Sequence, residues 1–567
     1  MGNSLRELEV VVVDCQTTGA TPDHGHLIEL AWTLTSADSS FQEDRITCFP
    51  LRLPAGATVS RRITSLTGIT EEMLQGAIHP EEAWWLLAAS LSSLSADAVT
   101  PVAHFARFEE TWLRSLSGNS GFNHAFPEGM ICTREIALRL YPGLPRKGLH
   151  ALSGFLGRTV PELRRAASHV EATAFVWQRM VDELDSRGVS TLADLREWLD
   201  EPPPSGKQQR TYALPREKRL GLPDCPGVYR FLGMDGKILY IGKAASLRRR
   251  VNSYFTKRRA DCKTLELVTQ VHDLRITQCG SPLEAAVLEC RLIREHKPPY
   301  NRAMRSGDEE LWFRSDDMLE WSNQPTGSCP VGPFISRGAH DRLRELMGLL
   351  SGRTRFEESR MMSLFQLEHF SMEADALRKG LSLLEENFNR EKRVPVFREM
   401  LRLGKNLWMD RIRRKEEEKL EDTVDETPQS EEPVVLDAES LCSILLWSIA
   451  DTALQERRLR WFRLMAWSTL GWTQSAPDTD RMRYVVVRNG GIALSGECSV
   501  DDGPPADPLP LPLKRRIPVL NRTDYEILRV LTSEIRRICC SGSHAAVLLP
   551  TGRLLHGEAL IRLLEMV

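Results

Sequence analysis

The sequence predicts an α/β protein built from several domains. An apolar run at Val10–Val13 opens a stretch in which strand-like and helix-like periods alternate. A hairpin signal centred on Gly233-Met-Asp-Gly236 sits inside a strongly basic segment. Two breaks, EPPPSGKQQR at 201–210 and the charged stretch Arg411–Pro433, divide the chain. At ~100–200 residues per domain, the 567 residues hold three or four domains.

Taken in order, residues 1–185 read as one α/β domain. Val10–Val13, His26–Leu34 and Ala98–Ala103 have strand character, and Glu162–Glu183 is helical by period. Residues 186–214 read as a linker, because the proline run fits neither a helix nor a central strand. A small α/β domain follows at 215–305, then a mainly helical region at 306–410 with periodic stretches at His340–Leu350 and Met372–Glu386. Residues 411–435 begin RIRRKEEEK, turn acidic, and read as a charged linker. The last part, 436–567, has an α+β pattern: a Trp-bearing helix over Ser440–Trp467, a strand at Arg483–Arg488 and a helix at Asp524–Ile538. Trp447, Trp461, Trp467 and Trp472 lie near Arg457, Arg458, Arg460 and Arg463, and a helical Trp is more often core than a stacking platform. The short basic cluster Lys514–Arg516 is a similarly weak signal.

The net charge of -3 conceals an asymmetry. Residues 207–305 hold 21 Lys and Arg against 9 Asp and Glu, so the rest of the chain is acidic. A basic segment in an acidic chain is the footprint of nucleic-acid binding. No apolar run reaches the ~18–20 residues that a membrane span needs. The start of the chain lacks a secretory pattern, and the 12 cysteines form no CxxC pair. A cytoplasmic protein with reduced thiols is expected, with no membrane partner.

Two β-type runs flank the turn between Pro226 and Phe255. A symmetric loop would pair residues whose numbers sum to 469, setting Tyr229 opposite Tyr240 with both phenols on one face. Ser246 then caps a helix that carries Arg250. Pro282 opens a later helix with an apolar stripe of Leu283, Ala286, Val287, Cys290 and Ile293. Glu289 falls at the border of that stripe and Glu284 on the solvent side. These residue types suit phosphodiester hydrolysis: a carboxylate for a metal, a guanidinium to fork onto phosphate, and a phenol. A phenol with a pKa near ~10 needs a nearby cation to act as a base, and Lys243 offers one.

With GVY at Gly227–Tyr229 and YIG at Tyr240–Gly242, the segment resembles the GIY-YIG endonucleases. Lys243 and Arg250 follow at the family's spacing, as do Glu289 and Asn301 in LECRLIREHKPPYN. The pattern is most similar to the UvrC N-terminal and Cho type. The resemblance implies catalytic roles for Tyr229, Tyr240, Lys243, Arg250, Glu289 and Asn301, with Asn301 supporting the site by hydrogen bonding. It implies one magnesium ion on Glu289, replaceable by manganese, and incision of DNA on the 3′ side of a lesion. Either tyrosine could be the base. The implied partners are DNA and excision-repair damage-loading proteins, with Arg248, Arg249, Lys257, Arg258 and Arg259 as the expected phosphate contacts.

VVVDCQTTG at 11–19 resembles the first motif of DnaQ-like (DEDDh) exonucleases, which implies a ribonuclease H-like fold for 1–185. The match is degenerate. Asp14 is present, but Gln16 stands where a glutamate belongs. PVAHFARFEETWL resembles the second motif, with Phe105 for Asn and Glu109 for Asp. Alignment of the third places Arg164 at the family's His and His169 at its Asp. Two-metal chemistry needs dense negative charge, and two carboxylates remain unless Glu110 or Glu171 substitutes. The expectation is an inactive exonuclease fold kept for binding or architecture beside a working endonuclease. The alternatives are a bifunctional exonuclease–endonuclease and a non-catalytic DNA scaffold.

Overall fold

The computed structural model describes residues 4–39, 45–92, 99–119, 129–160, 163–204, 209–256, 261–301, 311–368, 370–386, 400–406, 435–473, 480–488, 490–505, 520–541 and 544–565. They form two compact units: Met1–Ala285 with Glu295–Arg305, and Ala286–Arg294 with Ser306–Val567.

The first unit starts with strands β1 (Val10–Thr17), β2 (Leu27–Thr35), β3 (Thr47–Pro50), β4 (Thr100–Ala103) and β5 (Ile131–Cys132) in the order β3-β2-β1-β4-β5. β2 runs antiparallel to β1 and to β3, while β4 runs parallel to β1 and to β5. β1 is central and covered on both faces, so it reads as an unbroken apolar run. Val10 and Val12 enter the core with the helix Ala166–Ser186, and Val11, Val13 and Cys15 enter the core with the helix Ala106–Asn119. This is the ribonuclease H-like α/β architecture that the sequence implied. The long helix begins at Ala166, after the expected Glu162, because the buried Glu29 fixes its start. The Glu29 carboxylate accepts from the Ala166 amide at 2.8 Å and from Arg165 Nε at 2.8 Å.

The stretch 186–214, expected as a linker, contains the helix Leu192–Asp200, closed at its start by a Thr191–Asp194 capping box. The proline run after Glu201 masked that signal. Next comes an antiparallel sheet in the order β7-β6-β8, from β6 (Gly227–Leu232), β7 (Ile238–Ala244) and β8 (Asp273–Gln278). The hairpin register differs by two from the symmetric expectation: Tyr229 pairs with Gly242, and Phe231 with Tyr240. The loop is asymmetric, since the Gly233 amide donates to Lys237 O at 2.9 Å and the register slips between Phe231 and Leu232. A two-residue difference keeps the face. The phenols of Tyr229 and Tyr240 still share it, with ring centroids 6.1 Å apart.

The second unit differs from the mainly helical expectation for 306–410. A three-stranded sheet, β9 (Trp312–Arg314), β10 (Trp321–Ser322) and β11 (Val331–Phe334), precedes the helices Gly338–Leu350 and Ala376–Glu386. Its strands are two to four residues long, too short to show a period. The helix Ala438–Met465, a five-stranded sheet that includes Arg481–Arg488, and the helix Arg522–Cys540 build the α+β part. Trp461 and Trp472 are buried, in line with a core role, whereas Trp447 is 37% exposed. Arg411–Pro433 and Lys514–Arg516 lie outside the described residues. Among the described residues, no helix is long and apolar enough to cross a membrane, and all 12 cysteines are free thiols.

Candidate active sites

Two of the motif glycines in the hairpin are forced by close packing. A side chain at Gly227 would collide with Thr277 O, and one at Gly242 would collide with the Tyr229 hydroxyl. The Tyr229 phenol therefore lies directly over the YIG backbone, completely buried. Ser246 starts the helix Leu247–Thr256, its Oγ accepting from the Arg249 amide at 3.3 Å. One turn on, this helix presents Arg250 and Tyr254. The Tyr229 and Tyr254 hydroxyls are 2.8 Å apart, and Arg250 Nη2 donates to the Tyr254 hydroxyl oxygen at 3.3 Å. Its guanidinium carbon lies 5.1 Å from the Tyr254 ring centroid. Sequence reasoning missed Tyr254; its position four residues after Arg250 on a helix was the available signal.

Burial pushes the Tyr229 phenol well above its ordinary value, the neighbouring Tyr254 and Tyr240 push it further, and Arg250 opposes them. Tyr240 is half-buried and Arg250 is exposed. Lys243, the cation expected beside Tyr240, is exposed, and strand alternation turns it to the opposite side of β7. Arg250 is a cation that interacts electrostatically with Tyr229, Tyr254 and Tyr240. Asn301 is buried and brackets one residue of the motif: its Oδ1 accepts from the Ile241 amide at 2.9 Å, and its Nδ2 donates to Ile241 O at 2.8 Å.

Glu289 lies half-buried on the helix Pro282–His296, beside the buried stripe of Leu283, Ala286, Val287, Cys290 and Ile293. Glu284, expected on the solvent side, is half-buried too. Among the described residues, no group of three or more His, Cys, Asp or Glu could hold a metal. A single carboxylate still suits magnesium, which keeps most of its waters and takes one or two carboxylates. Arg248 and Arg249 are exposed, donating respectively to Leu222 O and to Asp224. Lys257, Arg258 and Arg259 lie outside the described residues.

The degenerate exonuclease motifs converge on a cavity of about 540 Å³, lined by Asp14, Gln16, His104, Phe105, Glu109 and His169 among others. Both oxygens of Asp14 are taken. His169 Nδ1 stands 3.1 Å from Oδ1, and Gln16 Nε2 donates to Oδ2 at 3.1 Å. Gln16 and His169, which stand at two of the family's acidic positions, thus occupy the Asp14 carboxylate. Burial pushes the Glu109 carboxyl well above the usual range, with Asp14 adding to it, and its Oε2 lacks a hydrogen-bond partner. Burial also brings His104 down to about 3. Arg164 is exposed, and its neighbour Arg165 pairs with Glu29. Glu110 pairs with Arg114, and Glu171 with Arg158.

Phe105 carries a left-handed backbone, φ 68°. The family's Asn tolerates that conformation, whereas for an aromatic residue it costs roughly 1–2 kcal/mol. The ring lies 4.9 Å from the Arg134 guanidinium carbon, an interaction worth ~0.5–1 kcal/mol at an exposed site. Phe105→Asn is therefore expected to stabilise the first unit by about 0.5–1 kcal/mol, read as a rise of about 1–2 °C in its thermal midpoint.

The fold and these two sites define a fusion of an exonuclease-type fold with a small nuclease domain of the GIY-YIG class. Residues 225–302 match the UvrC-like GIY-YIG domain, and the chain carries such a domain. A Mycobacterium tuberculosis protein with the provisional name bifunctional exonuclease/endonuclease is 30% identical over 362 residues, 62% of this chain and 53% of that protein. The chain thus spans about half of that relative. UvrABC system protein C of a Psychrobacter species is 50% identical over 98 residues, 17% of this chain and 16% of that protein. The N-terminal endonuclease domain of UvrC from Thermotoga maritima, solved with magnesium as its catalytic divalent cation, is 35% identical. The match covers 15% of this chain and 93% of that one, with a TM-score of 0.14.

Proposed function

We propose that this chain makes metal-dependent single-strand incisions in damaged or structured DNA, in a UvrC- or Cho-like role in nucleotide excision repair. The observation that carries the reading is the packed cluster of Tyr229, Tyr240, Arg250 and Tyr254 around Gly242. It offers a phosphate-binding guanidinium beside phenols on a rigid hairpin. Glu289 is the residue to hold magnesium, which when bound acts as a Lewis acid on the leaving 3′-oxygen; manganese is the expected substitute. Arg250 forks onto the phosphate oxygens. Tyr229, sealed from solvent and held neutral, fixes Tyr254, while the half-buried Tyr240 has the access a base or water-orienting group needs. Asn301 holds the Tyr240–Gly242 backbone in place. Lys243, exposed on the opposite face of β7, is assigned to a DNA phosphate contact.

The exonuclease fold is read as a pseudo-enzyme used for binding or architecture, because both Asp14 oxygens are already bonded by Gln16 and His169. Excision-repair damage-loading proteins are the proposed partners, with the cytoplasm as the place of action. The binding part of the reading is tested by salt dependence. Replacing Arg249, Arg258 and Arg259 with Ala is expected to weaken duplex binding. The log–log salt slope should drop by ~0.9 for each phosphate no longer neutralised. An unchanged slope assigns these charges to a solvated face.

A further inference from the structure

We infer that His150, a residue of the exonuclease fold, is a positioning residue for the GIY-YIG site, acting through Glu266 and Tyr300 on the segment that holds the Tyr240–Gly242 backbone. The inference rests on the nicking activity proposed above. The exonuclease fold and the GIY-YIG sheet belong to the same compact unit. Within it the helix Leu149–Phe155 packs on the helix Cys262–Gln270 so closely that a side chain at Gly154 would collide with Gln270. His150 Nε2 lies 2.6 Å from Val160 O, and Nδ1 lies 2.8 Å from Glu266 Oε1. Nδ1 is also 3.1 Å from the Tyr300 hydroxyl, whose proton goes to Glu266, so only the imidazolium can donate both to Glu266 and to the Val160 carbonyl. The histidine's pKa is raised: burial works against the charge, but the hydrogen bond and charge of Glu266 and the Val160 carbonyl outweigh it. The other titratable groups around the pair are His169, which opposes the charge, Arg146, which acts on Glu266, and Tyr300.

Tyr300 connects this pair to the nuclease strand. Its hydroxyl is buried, donates to Glu266 Oε1 at 2.8 Å and accepts from Gln270 Nε2. Its amide donates to Leu239 O at 3.1 Å, and the next residue, Asn301, takes both backbone groups of Ile241. β7 is an edge strand, and this segment satisfies its outer edge where a further strand would otherwise lie. One short segment thus faces the exonuclease fold through Tyr300 and the YIG strand through Asn301. A displacement of about 1 Å at a reacting group can cost ~10²-fold in rate, so a clamp on Ile241 acts on both Tyr240 and Gly242.

The test uses the full chain, magnesium and a nickable duplex. His150→Ala and Tyr300→Phe are each expected to lower kcat five- to tenfold, with KM for DNA within about twofold. The double variant should be no slower than the worse single one, because the residues act as a unit. Amide exchange at Ile241 should accelerate in both, a readout that stands even where a variant is less stable. The kcat ratio of parent to Glu266→Gln should fall as pH rises through the raised His150 pKa. The imidazolium bond to Glu266 is complete below the unfolded value near ~6.5 and is lost above the folded one, whereas the side-chain amide of the Glu266→Gln chain can donate to neutral Nδ1. Parental kcat and parental Ile241 exchange in both variants would overturn the inference and leave the nuclease reading intact. A parent chain that fails to nick would overturn both.

Discussion

Glu289→Ala is expected to abolish magnesium-dependent nicking while duplex binding persists. Glu289 is the one carboxylate among the residues proposed for the GIY-YIG chemistry, and it stands half-buried at the edge of an apolar stripe of its own helix. A lone carboxylate cannot be replaced from within the constellation, since the remaining groups are phenols, cations and an amide. Losing the Lewis acid removes several kcal/mol of stabilisation from the developing alkoxide, so a rate loss of ~10³ or more is expected. Arg250→Ala should cost ~10²–10³, the usual loss for one preorganised charge donor. The side chain of Glu289 is outside the buried stripe, so its truncation leaves the core packed. Filter binding at fixed salt, run beside a plasmid nicking assay, separates the two effects. Weakened binding in step with weakened nicking would assign Glu289 to DNA binding.

The second large effect concerns the exonuclease fold. With nicking silenced by Glu289→Ala, the chain is expected to leave 3′-recessed and single-stranded DNA undigested in magnesium and in manganese. His169 is a poor magnesium ligand, and both Asp14 oxygens are engaged by neighbours. Adding Gln16→Glu, Glu109→Asp, Arg164→His and His169→Asp rebuilds the acidic set around a cavity of about 540 Å³. That variant gathers like charges and should be less stable without metal. Metal at ~100 times its Kd would return about 2.7 kcal/mol, so manganese should raise its thermal midpoint and leave the parent's unchanged. A 3′–5′ ladder from the chain without these changes, lost on Asp14→Ala, would establish a bifunctional enzyme.

The sequence was most informative where geometry is local. The two β-type runs that form β6 and β7, the Ser246 cap and the stripe on the Pro282–His296 helix each follow from a few neighbouring residues, and each is present. The hairpin register was illegible, because a slip at Phe231–Leu232 leaves no compositional mark. Tyr254 was missed because its partner Tyr229 is 25 residues away. Glu29 was missed for a similar reason: its partners, Arg165 and Ala166, lie across the domain. The three short strands between Trp312 and Phe334 were invisible to a period count. The degenerate exonuclease positions were readable by type, but not the consequence that Gln16 and His169 close over Asp14.

The decisive experiment for metal-dependent incision incubates the full chain with an end-labelled duplex bearing one bulky lesion, with and without excision-repair loading proteins, in magnesium and in chelator. A single discrete cut is expected in the damaged strand on the 3′ side of the lesion, dependent on magnesium and absent in the Glu289→Ala chain. No cut under any condition, or the same cut made by Glu289→Ala, would contradict that expectation.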